Sequence, residues 1–319
     1  MNAASWGTMG IRDPQIMTTL FWIVWATCVV ALAIPTGLWA KQTHSEALAA
    51  ARKDVVSVAQ SGAQFTENTF GLIDVVLNRL AELSSDKNFG SASIDKLCPS
   101  PICSNYRRLS PYLLLGFARA NGDVVVHGPD AKKLNVGDRD YFIAQKERDA
   151  GLFVGAPRRT SFMRGTALPM SRRLSSTDGV FEGIVAAVID VDLIEAVFKG
   201  LGAGKADEVR LLNDKGLRLV GWSADTVGDS AGSARRTDGS ACGSASRYSS
   251  PDIIASTESA QMGNLSVKVC LSTANVLQAW RAEVLSVAGA EGLVLLAPAL
   301  AFPALRRRWQ HRLRQRRGL

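Results

Sequence analysis

The 319 residues suffice for two modest domains, and a mean hydropathy of +0.06 with 47% hydrophobic residues is apolar for a soluble protein. The formal charge is +8, yet residues 306–317 hold seven arginines and no acid, which leaves the rest of the chain near neutrality. That distribution excludes a broad basic face and argues against nucleic acid as a partner.

Residues 1–14 read as a short cytoplasmic terminus, and residues 15–40 as a first transmembrane helix. No charged residue appears from 14 to 40, more than the roughly 20 apolar residues that span a bilayer. Trp22, Trp25 and Trp39 suit its interfaces. A cleaved signal peptide is the alternative, with Ala31-Leu32-Ala33 as its small-residue site, but Arg12 beside Asp13 leaves the preceding region without net positive charge. From 43 to 85 no proline intervenes, and Leu48, Val55, Ala59, Gly62, Phe65, Thr69, Leu72, Val76, Leu80 and Leu83 step at helical spacing. Such a helix is about 60 Å long. Its stripe packs on its own domain or pairs with a second copy, and the small Ala59 and Gly62 leave the homodimer open.

Five cysteines occur, and Cys28 lies in the first apolar segment. The other four, Cys98, Cys103, Cys242 and Cys270, fit disulfides outside the cytoplasm, with Cys98–Cys103 and Cys242–Cys270 the nearest pairs. Zinc is the weaker reading, because His44, His127 and His311 stand at no ligand spacing from them. No metal and no cofactor is expected.

Residues 112–119 read as a strand, Asn121-Gly122-Asp123 as a hairpin turn, and 124–127 as the return strand. The same grammar recurs at 207–212, 213–216 and 217–222, which suggests two lobes on one plan. Between them, residues 134–192 read as strands of one sheet broken by Gly and Pro. Arg139, Tyr141, Arg172 and Asp190 fall on separate strands or strand ends and converge on one face, the usual form of a small-ligand site.

The order NVGDRDYF, then Gly155-Ala156-Pro157, then Ser171-Arg172-Arg173, then DG-x-F-x-G-x-V-x-A-x-x-D from Asp178 to Asp190 resembles the double Cache domain. This is the extracytoplasmic sensor of many bacterial histidine kinases, diguanylate cyclases and chemoreceptors. The resemblance covers roughly residues 41–283. It implies an α+β fold: two PAS-like antiparallel-sheet lobes stacked on one long N-terminal helix (41–90), a distal ligand-binding lobe (91–195) and a proximal lobe (196–283). In amino-acid-binding members, an Arg-x-aromatic-aromatic element holds the ligand carboxylate and a later Asp meets the amine. Arg139, Tyr141, Phe142 and Asp190 match those positions. A guanidinium forks onto a carboxylate as an ammonium cannot. Those members carry Tyr-x-Asp after the proline, where this chain has Arg158-Arg159. The excess of positive charge (Arg158, Arg159, Arg164, Arg172, Arg173) points to an anionic, carboxylate-bearing ligand such as a small organic acid, rather than an amino acid or amine.

Each residue has a plainer reading. Arg139 pairs with Asp138 or Asp190 as a structural ion pair. Tyr141 and Phe142 pack in the core. Asp190 caps the helix that starts near Asp192. Arg158, Arg159 and Arg164 are solvated in a loop. Arg172 is an even choice between pocket and framework.

Residues 192–201 read as a helix, 223–250 as a Ser/Gly/Ala-rich loop and 265–271 as a strand, in a lobe that serves as spacer. Residues 284–305 form the second transmembrane helix, apolar apart from Glu291, a costly residue in lipid. The arginine tail, 306–319, then sets both termini in the cytoplasm and 41–283 outside, in a two-pass protein of the bacterial inner membrane. The tail's charge is accounted for by anchoring and anionic lipid. No nucleophile elbow, HExxH, P-loop or dinucleotide fingerprint appears, and Gly200–Gly204 lacks the spacing, so no enzyme is expected. No kinase or cyclase module follows the second apolar segment, which makes such a protein a partner. The alternative is an interaction module or degenerate receptor that binds no small molecule.

Overall fold

The computed structural model describes residues 14–84, 112–125, 134–160, 165–224, 252–260 and 262–317. It is an α+β protein with a long N-terminal helix and two antiparallel sheets. It divides into two compact units, Ala51–Thr273 and Met1–Ala50 with Ala274–Leu319.

Helix α1 runs Pro14–Ser84 without a break and carries Pro35 inside it. The two helices expected on either side of residue 41 are thus one element, since Lys41-Gln42-Thr43 contains no breaker. Its buried stripe in the larger unit runs Val55, Ala59, Thr66, Phe70, Ile73, Leu77 and Leu80. The expected stripe meets it at Val55, Ala59, Gly62, Val76 and Leu80, all buried, and departs only between them, where it ran through the half-buried Phe65, Thr69 and Leu72, one position early. Thr66 looks wrong for a core, but its hydroxyl donates to Gly62 O at 2.8 Å, which removes the penalty of burying it. Gly62 is small because a Cβ there would meet Val267 at 3.0 Å. Ala59 is fully buried in the same chain, so packing within the chain accounts for both small residues.

The first sheet has strands β1 (Leu113–Arg119), β2 (Val124–Val125), β3 (Phe153–Val154), β4 (Arg158–Arg159), β5 (Thr166–Ser175) and β6 (Phe181–Asp190). Its order is β2-β1-β6-β5-β3, with β4 also on β5. Pro169 cannot donate to a ladder. It lies between the parts of β5 that pair with β3 and with β4, and its carbonyl instead accepts Gly155 N at 2.8 Å. Gly183 is fixed by its neighbour: at φ +147° a Cβ would lie 2.0 Å from Ala118 O on β1.

Helix α2 spans Asp140–Glu147, where strand ends were expected. Aromatic Tyr141-Phe142 suggested a strand, but the following Ala144, Gln145, Lys146 and Glu147 favour helix, and contacts with the sheet hold it. Helix α3 (Val191–Gly202) follows β6 directly. The second sheet has strands β7 (Glu208–Leu212), β8 (Arg218–Ser223), β9 (Ile253–Ala260) and β10 (Leu265–Ser272) in order β8-β7-β10-β9. Phe65 of α1 meets Phe198 of α3 edge-on at 6.5 Å. Strand β9 was not foreseen, because IIASTESA is apolar only at its start.

Helix α4 spans Thr273–Arg317, longer than the 284–305 expected, because residues 273–283 are good helix formers that directly follow β10. Both α1 and α4 are long and apolar enough to cross a membrane. In their own unit, Thr36 Oγ1 donates to Glu291 Oε1 at 2.5 Å, Trp25 Nε1 donates to Leu295 O at 2.9 Å, and Phe21 stacks on Phe302 at 3.8 Å. Glu291, costly alone in an apolar span, thereby has a partner.

Cys98, Cys103 and Cys242 lie outside the described residues, as does Arg164; Cys270 is fully buried in β10. The pairings remain expectations.

Candidate functional site

Directly opposed residues of antiparallel strands share a face of the sheet. One face of the first sheet turns Arg172 and Val185 toward α1. The other carries four cross-strand rows: Arg158–Ala167–Asp190; Pro169–Val188–Leu114; Phe153–Ser171–Ala186–Gly116; and Arg173–Ile184–Ala118.

Helix α2 covers the last two rows and is pinned there by polar side chains. Ser171 Oγ donates to Tyr141 O at 2.8 Å, and Gln145 Nε2 donates to Ser171 O at 2.9 Å and Gly151 O at 2.8 Å. At the helix C-terminus, Arg173 donates to Gln145 O and Lys146 O while its guanidinium sits 4.8 Å over the Phe181 ring. A cation there also suits the helix dipole. Asp140, in the first turn, accepts Ala156 N at 2.7 Å and so ties the Gly155-Ala156-Pro157 segment to the helix start. Upstream, Asn135 Nδ2 donates to Asn121 O and to Asp123 Oδ1, and its Oδ1 accepts Gly137 N. The turn and the loop before α2 are therefore one hydrogen-bonded body.

The β1–β6 side of the face stays half-open. Leu114 is 41% exposed, Val188 and Ala186 are half-buried, and a Cβ on Gly116 would meet nothing within 4 Å, whereas Ala167 and Pro169 on β5 are buried. This leaves a shallow apolar cup over β1 and β6, with the half-buried Arg158 and Asp190 in the adjoining row and the start of α2 at its rim. Such a surface, apolar with few polar groups, suits a small molecule.

The structure assigns the expected residues unequal parts. Arg139 is the N-cap residue of α2, makes no side-chain cap, and holds Asp138 at 3.1 Å. Asp138 is mostly exposed, and an exposed pair of that kind is worth little, so the guanidinium is available. Tyr141 is buried in a cluster with Ala118, Val136, Phe142 and Ile184. Burial raises its phenol above 10.0, while the charges of Arg158 and Arg139 pull it partly back. Phe142 is 1% exposed and packs edge-on to Phe181 at 5.5 Å, as a core residue. Arg172 does not face the cup. It forks onto Asp74 of α1, with Nε to Oδ1 at 2.5 Å and NH2 to Oδ2 at 2.9 Å. Asp190 caps α3, its Oδ1 accepting Asp192 N at 3.0 Å, yet it lies in the first row and has no ion-pair partner among the described residues.

Arg158 was read only as part of a positive loop. In the structure it is half-buried on β4, faces the cup, and makes no ion pair among the described residues. Nothing in the local sequence marks it, because its place depends on pairing with Ala167. Asp140 was missed, because strand ends rather than a helix start were expected here; an acid followed by the helix formers Ala144 to Glu147 is the signal that could have found it. Among the described residues no group of three His, Cys, Asp or Glu side chains is placed to hold a metal.

No protein-family model matches the chain, and no curated protein matches it by sequence. Solved structures do. The extracellular domain of a protein described as a histidine kinase, rpHK1S-Z16, is 23% identical, with a TM-score of 0.53 over 73% of this chain and 99% of that one. The ligand-binding domain of the Pseudomonas aeruginosa PAO1 amino acid chemoreceptor PctB, solved with L-Arg, is 12% identical, with a TM-score of 0.50 over 70% of this chain and 95% of that one. The chain thus has the fold of Cache-type sensory domains, as the spacing of its motifs implied.

Proposed function

We propose that this protein is a membrane-anchored extracytoplasmic sensor. A small carboxylate-bearing molecule binds the half-open cup between α2 and the first sheet, and occupancy is relayed to a cytoplasmic effector of the kinase or cyclase type. The observation that carries this reading is the cup itself. The sheet face is closed by α2 over part of its area and left half-open around Leu114 and Val188, with Arg158 and Asp190, which make no ion pair among the described residues, in the adjoining row. The likeness in fold to sensory domains supports the same reading. Apolar α1 and α4 supply the anchors, with both termini in the cytoplasm by the position of the arginines. The protein is a binder rather than an enzyme. A ligand acts here only through different affinity for two arrangements of the receptor.

A second reading has a specific observation behind it. Arg172, Phe142 and Asp190 all have structural tasks, in a salt bridge, a core cluster and a helix cap. A protein that keeps the fold but binds no metabolite would look the same at these three positions. A thermal-shift screen of the full chain in detergent separates the two, because a ligand that binds only the folded state raises the melting temperature. The sensor reading expects a shift by at least one class of small carboxylate. Well-folded protein that no carboxylate, amino acid or amine shifts supports the interaction module.

A further inference from the structure

Three consecutive residues of β5 hold two different helices. Side chains alternate across a strand, so Ser171 and Arg173 rise toward α2 and Arg172 toward α1. Ser171 Oγ donates to Tyr141 O near the start of α2, and Arg173 donates to Gln145 O and Lys146 O at its end. Between them in sequence, Arg172 forks onto Asp74 of α1. The three residues span about 7 Å of strand. Pairing with Ala186, Val185 and Ile184 on β6 keeps them in register. Arg172 is tied to the far end of α2 as well. Asp149, two residues past that helix, adds a second and weaker negative charge to the surroundings of the guanidinium. Asp149 Oδ1 accepts Gly151 N at 2.9 Å, and Gly151 O accepts Gln145 Nε2 at 2.8 Å. One cation thus stands between an acid of α1 and an acid of the segment that closes α2.

We propose that Arg172 is the coupling residue of this sensor, joining α2, which closes part of the sheet face, to α1 through Asp74. This rests on the sensor reading above and names how occupancy leaves the site. Helix α1 is the element whose first residues are apolar enough to cross a membrane. Arg172 touches no ligand in this account. It is a positioning residue, and its ion pair makes the place of α2 depend on that of α1. Such a dependence is reciprocal. Contacts on opposite faces of a sheet with no shared partner otherwise act independently.

The test is amide hydrogen exchange, read by mass spectrometry on the full chain in detergent with no ligand added. Asp74→Asn keeps the shape of the side chain and removes its charge. It is expected to speed exchange in α2, across the sheet from the substitution, about tenfold, and in α3 and the second sheet no more than about twofold. Asp74→Glu keeps the carboxylate and is expected to hold α2 within about threefold of the parent. In the other direction, Ser171→Ala removes only the bond to Tyr141 O, and is expected to speed exchange in α1 around Asp74 at least about threefold. Unchanged α2 in Asp74→Asn overturns the inference, as does a rise that α3 and the second sheet share, which makes the pair a general brace. Unchanged α1 in Ser171→Ala overturns it too, and decides alone if Asp74→Asn does not fold. None of these outcomes involves a ligand, so the sensor reading stands or falls separately, on the thermal-shift screen.

Discussion

Asp74→Ala probes the joint between α1 and the first sheet. Arg172 and Asp74 meet through two parallel hydrogen bonds, with side chains 25% and 11% exposed. The bond to Asp74 raises the pKa of Arg172 above its ordinary value, so the guanidinium stays charged at any working pH. Removing Asp74 therefore leaves a cation facing α1 with no partner. Breaking a fully buried pair costs about 3–5 kcal/mol. Arg172 keeps a quarter of its side chain in reach of water, so about 2–3 kcal/mol is expected here. For a unit of this size that lowers the melting temperature by roughly 5–10 °C. The assay is circular dichroism melting of the full chain, with Arg172→Ala and the double variant completing a cycle. The coupling energy is expected to be about 2 kcal/mol. The double variant should melt above Asp74→Ala, because it removes the stranded charge. A melting temperature for Asp74→Ala within about 1 °C of the parent would refute the reasoning, since it would mean that water or a neighbour replaces Asp74 at no cost.

Three further outcomes follow from single contacts. Burial raises the Tyr141 phenol above 10.0, so the folded state holds this proton longer than the unfolded state does. The resulting stability is complete below pH 10 and lost as pH rises through the folded value; melting curves above pH 10 should fall more steeply for the parent than for Tyr141→Phe, and parallel curves would contradict the assignment. Gly122→Ala places a Cβ 2.6 Å from Gly137 N at φ +87°, and should cost about 1–3 kcal/mol of stability, read by the same melts; an unchanged melt would show that the 121–137 network is not rigid. Thr36→Val removes the 2.5 Å bond to Glu291 and should weaken the pairing of the apolar helices by about 1 kcal/mol in an SDS titration, whereas no change would mean that Glu291 is satisfied elsewhere.

Local signals carried much of the fold. The Asn121-Gly122-Asp123 turn and the apolar run before it placed β1 to within a residue, and the apolar runs of 134–192 placed β5 and β6 in one sheet region. Where tertiary contacts override propensity, the reading failed. Helix α2 is held by Ser171, Arg173 and Gln145 contacts that join residues 26 to 30 positions apart. Thr66 is polar and buried, which shifted the middle of the stripe on α1, from Phe65 to Leu72, by one residue. The site was legible as a region but not by residue. The Arg139 position and the Asp190 strand end were visible. Nothing near Arg172 reveals that Asp74, 98 residues earlier, takes it out of the cup. Arg158 appears as one arginine among several until the β4–β5 register sets it opposite Ala167.

Leu114 offers the most direct test of where the ligand binds. It forms the exposed floor of the cup, on the same face as Val188 and away from α1. Leu114→Trp fills that space and leaves Arg158, Asp190 and the residues that hold α2 unsubstituted. Calorimetric titration of the full chain should use whichever metabolite stabilises the parent most. The account expects Leu114→Trp to melt within about 2 °C of the parent and to lose at least about tenfold in affinity. Unchanged affinity in Leu114→Trp would place the ligand elsewhere and contradict the central claim.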